Sequence, residues 1–362
     1  MTSEQPVVGM YSHHQGSGHL HRCRTIACEL AARGAKVTIF SSAIPRTAYD
    51  SAPDRRPYEE RFIPLDVDRA EDVSTQGPPA EDPTAHGTLH WAPTDHPGYT
   101  RRMLALAAWV AENHPEVFYV DVSVEVALFI RLLGIPVVTL AMPGQRVDRT
   151  HQMAYKQAAA IIAAWPEDVG VPAHLQEYRN VVSCVGGISR FDTPTRPTAK
   201  DTPRDISARR VVVLQGAGGT QWTEKYWIDV QRACPGWTFN FLGGRVFSDN
   251  PLRDMGGADV VVSAAGQNSV ADIALTGKPC ILIPQDRAFH EQHATASAVA
   301  RLGLALQCAD LPEPHEFPSL LEQAVSMNPE WVLWRVEGAA RRAACVILEL
   351  CSSARLGKEN WT

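Results

Sequence analysis

The chain has 362 residues, 45% of them hydrophobic, a length and composition that favour two domains with substantial cores. Its formal net charge of −6 argues against nucleic acid as the main partner, because binding a phosphate backbone requires a basic surface. The eight cysteines form no Cys-x-x-Cys pair, and neither a long apolar run nor a leader-like start occurs, so we expect a cytoplasmic protein with reduced thiols.

Strands and helices alternate in the first half of the chain. The runs "PVVGMY" and "AKVTIF" predict two strands, and residues 20–34 between them predict a helix that stops at Gly34. Farther on, "EVFYVDVS" and "IPVVTLAM" predict strands on either side of the helical stretch "VEVALFIRLLG". Such alternation implies a parallel sheet with helices on both faces.

Two segments interrupt this alternation. Residues 69–99 are rich in Pro, Gly, Asp and Glu and lack periodicity, which is typical of a functional or disordered loop. Residues 191–208 contain several prolines and charges and predict an interdomain linker. The first domain is therefore expected to span residues 1–190.

The alternation resumes in the second half. The runs "RRVVVLQ", "WTFNFLGG", "DVVVSAAG" and "PCILIP" predict strands, while "WTEKYWIDVQRACPG" and "HEQHATASAVARLG" predict helices. We expect a second domain over residues 209–330, followed by a terminal segment, 331–362, with a long amphipathic helix over Trp331–Ser352. In Rossmann-like domains of this kind, ligands bind at the carboxyl ends of the strands.

Polar residues follow the "DVVVSAAG" strand where a helix is predicted to begin. Unpaired N–H groups at a helix N-terminus attract anions, and glycine allows close approach, so Gly266, Gln267, Asn268 and Ser269 form a candidate phosphate loop. Asp272, one turn later, could accept hydrogen bonds from ribose hydroxyls. Ser269 and Asp272 equally fit the S-x-x-D pattern of a capping box, and this segment alone leaves both interpretations open.

The longer pattern "ADVVVSAAGQNSVADIALTGKPCILIP", followed by "HEQHATASAVARLG", resembles the donor-binding half of GT-B glycosyltransferases. It is most similar to family 28, which includes the bacterial peptidoglycan N-acetylglucosaminyltransferase. The stretch "HHQGSGHLHR" is similar to that family's N-terminal glycine loop. The resemblance implies two facing Rossmann-like domains with parallel sheets, and a C-terminal helix that crosses back to the first domain.

The resemblance also implies a function. Such an enzyme moves a hexose-type sugar from a nucleoside diphosphate sugar, here expected to be UDP-linked, to an acceptor hydroxyl with inversion. No metal and no cofactor beyond the nucleotide-sugar co-substrate is expected. The acceptor is left open among small molecules, glycans and lipid-linked acceptors, and a lipid-linked acceptor would bring peripheral contact with a membrane.

Positions of this chain that match the family's motifs are assigned the donor-binding roles of those motifs. The loop around Gly266 to Ser269 is expected to contact the diphosphate, Asp272 the ribose, and Glu291 and Gln292 the donor sugar. The family usually has glutamate at position 272 and often has glutamine at position 291, so both are departures. The remaining candidates are a nucleobase pocket at Phe247 and Ser248, Ala265 in the donor loop, a second loop at Gly216, Ala217, Gly218, Gly219 and Thr220, and an acceptor-side loop at Gly16, Ser17 and Gly18.

The resemblance makes His19, in the glycine loop, the candidate catalytic base or acceptor-positioning group. Either role is chemically reasonable, because inverting transfer needs a group that activates the acceptor hydroxyl. Asp121, at the end of the strand "VFYVD", is a candidate for orienting His19, although a helix N-cap before "VSVEVAL" is the slightly preferred interpretation. The D-x-D pair Asp66 and Asp68 stands far from the donor motif and is interpreted as a chance surface pair.

Two other classes of protein remain as alternatives. A nucleotide-sugar epimerase or a dinucleotide-dependent enzyme could use a double Rossmann frame. However, His21 stands in place of the third glycine of G-x-G-x-x-G, and no acidic residue ends the second strand. A non-catalytic subunit that binds nucleotide sugars is the other alternative, and the presence of both His19 and the donor loop argues against it.

Overall fold

The computed structural model describes residues 5–14, 17–43, 56–63, 82–192, 209–215, 222–243, 248 and 250–359. Its first domain contains a seven-stranded sheet in the order β3-β2-β1-β4-β5-β6-β7, in which every pair of neighbours is parallel. The strands are β1 (Val7–Ser12), β2 (Lys36–Ser41), β3 (Glu59–Phe62), β4 (Val117–Asp121), β5 (Val137–Ala141), β6 (Ala160–Ala163) and β7 (Val182–Cys184). The helices are α1 (Gly18–Ala32), α2 (Pro97–Asn113), α3 (Val124–Leu132) and α4 (Arg149–Gln157).

The second domain contains a five-stranded parallel sheet in the order β12-β11-β10-β8-β9. Its strands are β8 (Arg209–Gln215), β9 (Trp237–Gly243), β10 (Val260–Ser263), β11 (Cys280–Leu282) and β12 (Leu306–Gln307). Its helices are α5 (Glu224–Ala233), α6 (Pro251–Gly256), α7 (Gln267–Ala274), α8 (Glu291–Arg301) and α9 (Phe317–Ser326). The central strands of both sheets are buried along their length, as expected for parallel sheets covered on both faces.

The strand orders fix where ligands can bind. Each sheet reverses its winding at one place, between β1 and β4 in the first domain and between β8 and β10 in the second. Open parallel sheets bind ligands at such switch points, outside the carboxyl ends of the strands. His19 follows β1, Asp121 ends β4 and Gly266 follows β10, so all three lie beside a switch point.

The C-terminal helix crosses back to the first domain, as predicted, but it begins later than predicted. Residues Trp331–Trp334 form a short 3-10 turn that packs in a hydrophobic cluster contributed by both domains. Arg335 (φ 52°) and Gly338 (φ 73°) then take left-handed conformations, which end any continuous helix. The last helix, α10 (Ala339–Glu359), packs against α1 and buries Ala343, Ala344 and Ile347 in the first-domain core.

The segments that cross between the domains contact each other. The backbone N–H of Gly187 donates to the carbonyl of Trp334 at 3.0 Å, and the N–H of Gly338 donates to Asp192 Oδ2 at 2.8 Å. A Cβ on Gly186 would lie 2.1 Å from the Arg335 carbonyl oxygen, so only glycine allows this close approach. The segment that leaves the first domain, residues 186–192, and the segment that returns to it, residues 334–338, are therefore held together.

The two irregular segments are only partly described. The predicted loop over residues 69–99 ends too late, because α2 already begins at Pro97. Residues 82–96 form turns, while residues 69–81, the Asp66–Asp68 pair and residues 193–208 of the predicted linker lie outside the described residues. Within the described ranges, no helix combines the length and the hydrophobicity needed to cross a bilayer.

Candidate active site

His19 lies in the first turn of α1, where the helix begins directly after the glycine loop. Of the predicted acceptor-side loop, Gly16 lies outside the described residues, and Ser17 occupies the N-cap position without making a side-chain cap bond. A Cβ on Gly18 would lie 3.0 Å from Asn268 Nδ2 of the second domain. This glycine therefore lets the two domains approach closely beside His19.

Asp121 holds the His19 ring in one orientation. The His19 Nδ1 atom lies 2.6 Å from Asp121 Oδ1, and the carboxylate is fully buried. Burial opposes ionisation of this group, but the Arg22 guanidinium and His19 hold the pKa of Asp121 well below its usual range. Because an ionised carboxylate only accepts hydrogen bonds, Nδ1 donates to it, and in the neutral form of the ring the lone pair is then on Nε2.

The helix that follows Asp121 is capped by another residue. Ser123 is the N-cap of α3, and its hydroxyl accepts from the backbone N–H of Val126 at 3.3 Å. The preferred interpretation of Asp121 as an N-cap was therefore wrong. Between the two residues, Val122 takes a left-handed conformation (φ 58°), which is costly for a β-branched side chain and turns the chain sharply after Asp121.

Arg22 links the histidine site to the second domain, a role that the sequence analysis missed. It is buried, its Nε donates to Asp121 Oδ2 at 2.7 Å, and its Nη1 donates to Asn268 Oδ1 at 3.1 Å. It lies three residues after His19, on the same face of α1. That spacing is the signal that could have identified it.

The predicted donor loop forms the N-terminus of α7. Ala265 is buried in a left-handed conformation (φ 63°), and Gly266 is the N-cap, with no side-chain cap bond. The capping-box interpretation of Ser269 and Asp272 was therefore wrong, because both residues lie inside the helix. The uncapped amides of the first turn form an anion site of the kind that binds phosphate.

The side chains of Asn268 and Gln267 in this loop differ in their hydrogen bonding. Asn268 Nδ2 donates to the Gly18 carbonyl at 2.8 Å, and its Oδ1 accepts from Arg22, so the side chain joins the domains. The Gln267 Oε1 atom is buried without a hydrogen-bond partner among the described residues. Backbone amides, together with the Ser269 hydroxyl, are consequently the groups that this loop offers to a diphosphate.

Asp272 is buried in the second turn of α7, with 8% of its surface exposed. Its Oδ1 accepts from the Ser189 hydroxyl at 2.6 Å, and its Oδ2 lies 3.8 Å from Arg190 Nε. Burial raises the pKa of Asp272 to about 6, while Ser189 and Arg190 act in the opposite direction. A carboxylate held in this way keeps acceptor capacity for ribose hydroxyls on Oδ2.

Glu291 and Gln292 are the first two residues of α8, and both side chains accept hydrogen bonds. Glu291 Oε2 accepts from Arg146 Nη2 of the first domain at 3.1 Å. Gln292 Oε1 accepts from the backbone N–H of Gln285 at 2.9 Å, which fixes the segment that leads into the helix. The amide N–H₂ of Gln292 and the second oxygen of Glu291 are the atoms available to a sugar.

Arg146 belongs to a chain of polar groups on the first domain. Its Nη1 donates to His151 Nε2 at 3.1 Å, and His151 Nδ1 donates to Asp148 Oδ2 at 2.6 Å. Burial lowers the pKa of His151 to about 4, so the ring is neutral at pH 7 and accepts from the guanidinium. The guanidinium also lies 4.5 Å from the centre of the Phe289 ring. The sequence analysis did not identify any member of this network.

The predicted nucleobase pocket is described only at one residue. The Ser248 hydroxyl donates to Asp254 and accepts from the backbone N–H of Asn250, so it shapes the turn before α6. Phe247 and the second loop, residues 216–220, lie outside the described residues.

A cavity of about 330 Å³ lies between the domains beside the donor loop. Its walls are largely apolar and include Trp165, Val169 and Trp334, while Gln267, His290 and His293 contribute polar atoms. The sequence analysis did not predict this cavity, because its walls come from segments far apart in the chain.

Comparison with known proteins finds similarity in the second domain and in the fold of the whole chain. Residues 221–330 match the family model described as the glycosyltransferase family 28 C-terminal domain. The UDP-N-acetylglucosamine–N-acetylmuramyl-(pentapeptide) pyrophosphoryl-undecaprenol N-acetylglucosamine transferase of Gloeobacter violaceus is 35% identical over 213 residues, covering 51% of this chain and 58% of the relative. The transferase of the same name from Agrobacterium fabrum is 36% identical over 83 residues, 22% of this chain and 21% of the relative. These curated relatives are thus matched over less than two thirds of their length.

The second domain is thus similar to family 28 glycosyltransferases, and the whole chain has the GT-B fold. Among solved structures, Acinetobacter baumannii MurG has a TM-score of 0.58 at 15% identity and covers 95% of this chain and 99% of its own. Arabidopsis thaliana UGT89C1, complexed with UDP-L-rhamnose, has a TM-score of 0.66 at 13% identity and covers 96% and 100%. The kitacinnamycin glycotransferase has a TM-score of 0.63 at 17% identity and covers 98% and 99%. These similarities show a common fold over nearly the whole chain.

Proposed function

We propose that this family 28-like protein is a glycosyltransferase that moves a hexose-type sugar from a UDP-linked donor to an acceptor hydroxyl with inversion. The observation that carries the proposal is the link between the His19–Asp121 pair on one domain and the donor loop on the other. Arg22 and Asn268 complete that link at 3.1 Å. A proton acceptor and an anion site thus face each other across the interface, as transfer requires.

His19 acts as the general base. Its Nε2 takes the proton from the acceptor hydroxyl while the oxygen attacks the anomeric carbon, and Asp121 stabilises the imidazolium that forms. The bond between the anomeric carbon and the diphosphate oxygen breaks as the new bond forms on the opposite face of the ring. Because only one displacement occurs, the configuration at the anomeric carbon is inverted.

The α7 N-terminus stabilises the leaving group. The helix carries about half a unit of positive charge at this end, and its uncapped amides can donate to the departing UDP. We propose that this arrangement holds the diphosphate without a metal ion. Asp272 is assigned to the ribose, and Glu291 and Gln292 to the sugar hydroxyls.

Two comparisons support a uridine donor. The curated relatives carry UDP-N-acetylglucosamine in their names, and UGT89C1, of the same fold, was crystallised with UDP-L-rhamnose. Uracil is therefore the first nucleobase to test. Acceptor hydroxyls on small molecules, on glycans and on lipid-linked intermediates are three classes to be screened separately.

The test is transfer or donor hydrolysis measured across UDP-, GDP- and dTDP-sugars, with product configuration read by NMR. We expect turnover of a UDP-sugar in the presence of EDTA and an anomer opposite to that of the donor. Thermal shift with UDP and with NAD is the parallel binding assay, since a ligand at 100 times its Kd adds about 2.7 kcal/mol of stability. Stabilisation by NAD and not by UDP would overturn the proposal in favour of a dinucleotide-dependent enzyme.

A further inference from the structure

Three side chains with metal-binding atoms converge on the segment that joins β11 to α8. One ligand atom from each of Asp286, His290 and His293 lies within 4.8 Å of the other two. The segment folds back on itself, because Phe289 (φ 60°) and His290 (φ 55°) are consecutive left-handed residues. Three ligands spread over eight residues are thereby brought to one place.

These three side chains have no other described partners. Neither Asp286 nor the two rings forms a hydrogen bond or an ion pair with another residue in the described ranges, and the buried Nδ1 atom of His293 lacks any partner. The only contact among them is an edge-to-face contact of the two rings, with centroids 6.1 Å apart. By contrast, His19 and His151 each donate to an aspartate.

A second cluster, formed by His90, Asp148 and His151, meets the same distance criterion but is occupied by hydrogen bonds. Both nitrogens of His151 are engaged, and one of them accepts from the Arg146 guanidinium at 3.1 Å. A metal ion on the other nitrogen would have to displace Asp148 and would face that guanidinium. This cluster therefore serves as the internal control.

We propose that Asp286, His290 and His293 bind a divalent cation of the zinc class. Two imidazoles and one carboxylate suit Zn²⁺, Co²⁺ and Ni²⁺ better than the hard cations Mg²⁺ and Ca²⁺, which prefer oxygen ligands. Three protein ligands leave at least one position of a tetrahedral ion for water or another oxygen. His290 and His293 also line the cavity between the domains, which gives that position access to small molecules.

The site fixes the segment that delivers Glu291 and Gln292. On one side, the Phe289 carbonyl already accepts from the backbone N–H of Gln145 at 2.8 Å. The ion ties the other side of the same turn through His290 and His293. The three ligands of this ion do not include the α7 amides, so the diphosphate binding proposed for those amides does not require it. The effect of the ion on the sugar-binding role of Glu291 and Gln292 rests on the proposed function, whereas the metal site itself does not.

The test uses the untagged full chain, stripped with EDTA and desalted. We expect one equivalent of Zn²⁺ by calorimetry and a Co²⁺ absorption spectrum that indicates imidazole ligation. The variant His290→Asn/His293→Gln should weaken Zn²⁺ binding at least 100-fold, with asparagine chosen because it tolerates the left-handed conformation at position 290. Asp286→Asn should weaken binding about tenfold or more.

The matched control is His90→Gln/His151→Gln, which should bind Zn²⁺ with unchanged affinity. A control variant that loses the ion while His290→Asn/His293→Gln keeps it would overturn the assignment, as would the absence of binding at micromolar Zn²⁺. Thermal shift with UDP on the same preparations shows that each variant is folded. Because that readout needs no metal, an unsubstituted chain that binds UDP but not Zn²⁺ would reject the metal site alone. An unsubstituted chain that binds Zn²⁺ but not UDP would reject only the proposed function.

Discussion

Arg146 of the first domain donates to Glu291 of the second at 3.1 Å, and the guanidinium is almost fully buried while the carboxylate is 30% exposed. The sequence analysis noted Glu291 only as a departure from a glutamine. The structure shows a compensating charge opposite it, held in turn by His151. The acidic residue is therefore one half of a pair that joins the domains at the expected sugar site.

We expect Arg146→Gln and Glu291→Gln each to reduce transfer, because each leaves the other charge partly buried and unpaired. The double variant should recover part of the loss, with a coupling free energy of about 1 kcal/mol. The measurement is kcat/KM for the best UDP-sugar in the four proteins of the cycle. Strict additivity of the two losses would contradict the pairing.

Substitution of His19 should separate chemistry from binding. We expect His19→Ala to lower turnover by about 10²–10⁴-fold, because a general base is lost, while UDP affinity changes little. The control is His86→Ala, at an exposed position in the turns before α2. Loss of UDP binding in His19→Ala, with binding intact in Ser269→Ala, would place the nucleotide on the first domain and refute the assignment.

Asp272 should make the free energy of unfolding depend on pH. Its pKa rises from 3.8 to about 6 on folding, so the folded state binds the proton more tightly. The stability that this proton provides is present below about pH 4 and is lost as the pH rises through 6. Asp272→Asn should therefore increase the free energy of unfolding at pH 7.5, by at most about 3 kcal/mol, and should give no increase at pH 4.

The same substitution should weaken UDP binding, because an amide replaces a charge-assisted acceptor for the ribose. Thermal melts and UDP titrations of one preparation, at both pH values, measure the two effects together. Asp310→Asn, at an exposed position, is the matched control. A uniformly destabilised Asp272→Asn with unchanged UDP affinity would show that the carboxylate has only a structural role.

The returning helix should be part of the first-domain core. Ile347 is fully buried against that core, whereas Cys345 on the same helix is exposed. We expect Ile347→Ala to lower the free energy of unfolding by about 2–4 kcal/mol and Cys345→Ala to change it by less than about 0.5 kcal/mol. Chemical denaturation followed by fluorescence measures both, and equal effects would contradict the packing.

The sequence predicted best those elements whose signal is local. The run "VFYVD" became β4, buried at every position, and Gly266 in "AAGQ" precedes the start of a helix, as predicted. The strands β3, β6, β7 and β12 were not predicted. The break at Arg335 was missed as well, since an arginine in a left-handed conformation is set by tertiary contacts and not by its own preference.

The site was predicted in its parts but not in its connections. His19, Asp121 and the donor loop were identified by resemblance, and the structure brings His19 and Asp121 into contact. Arg22 and Ser189, which tie these groups to the other domain, could not be identified. Their partners, Asn268 and Asp272, lie 246 and 83 residues away, and only the folded chain brings them together.

The contact of α10 with α1 has a consequence for synthesis on the ribosome. The first domain is translated before the second, yet its core is completed by Ala343, Ala344 and Ile347 near the end of the chain. At about 5–20 residues per second, the surface of α1 that receives them waits on the order of ten seconds or more, while the entire second domain emerges. During that interval the nascent first domain exposes an apolar face, which makes it a substrate for chaperones that bind hydrophobic segments.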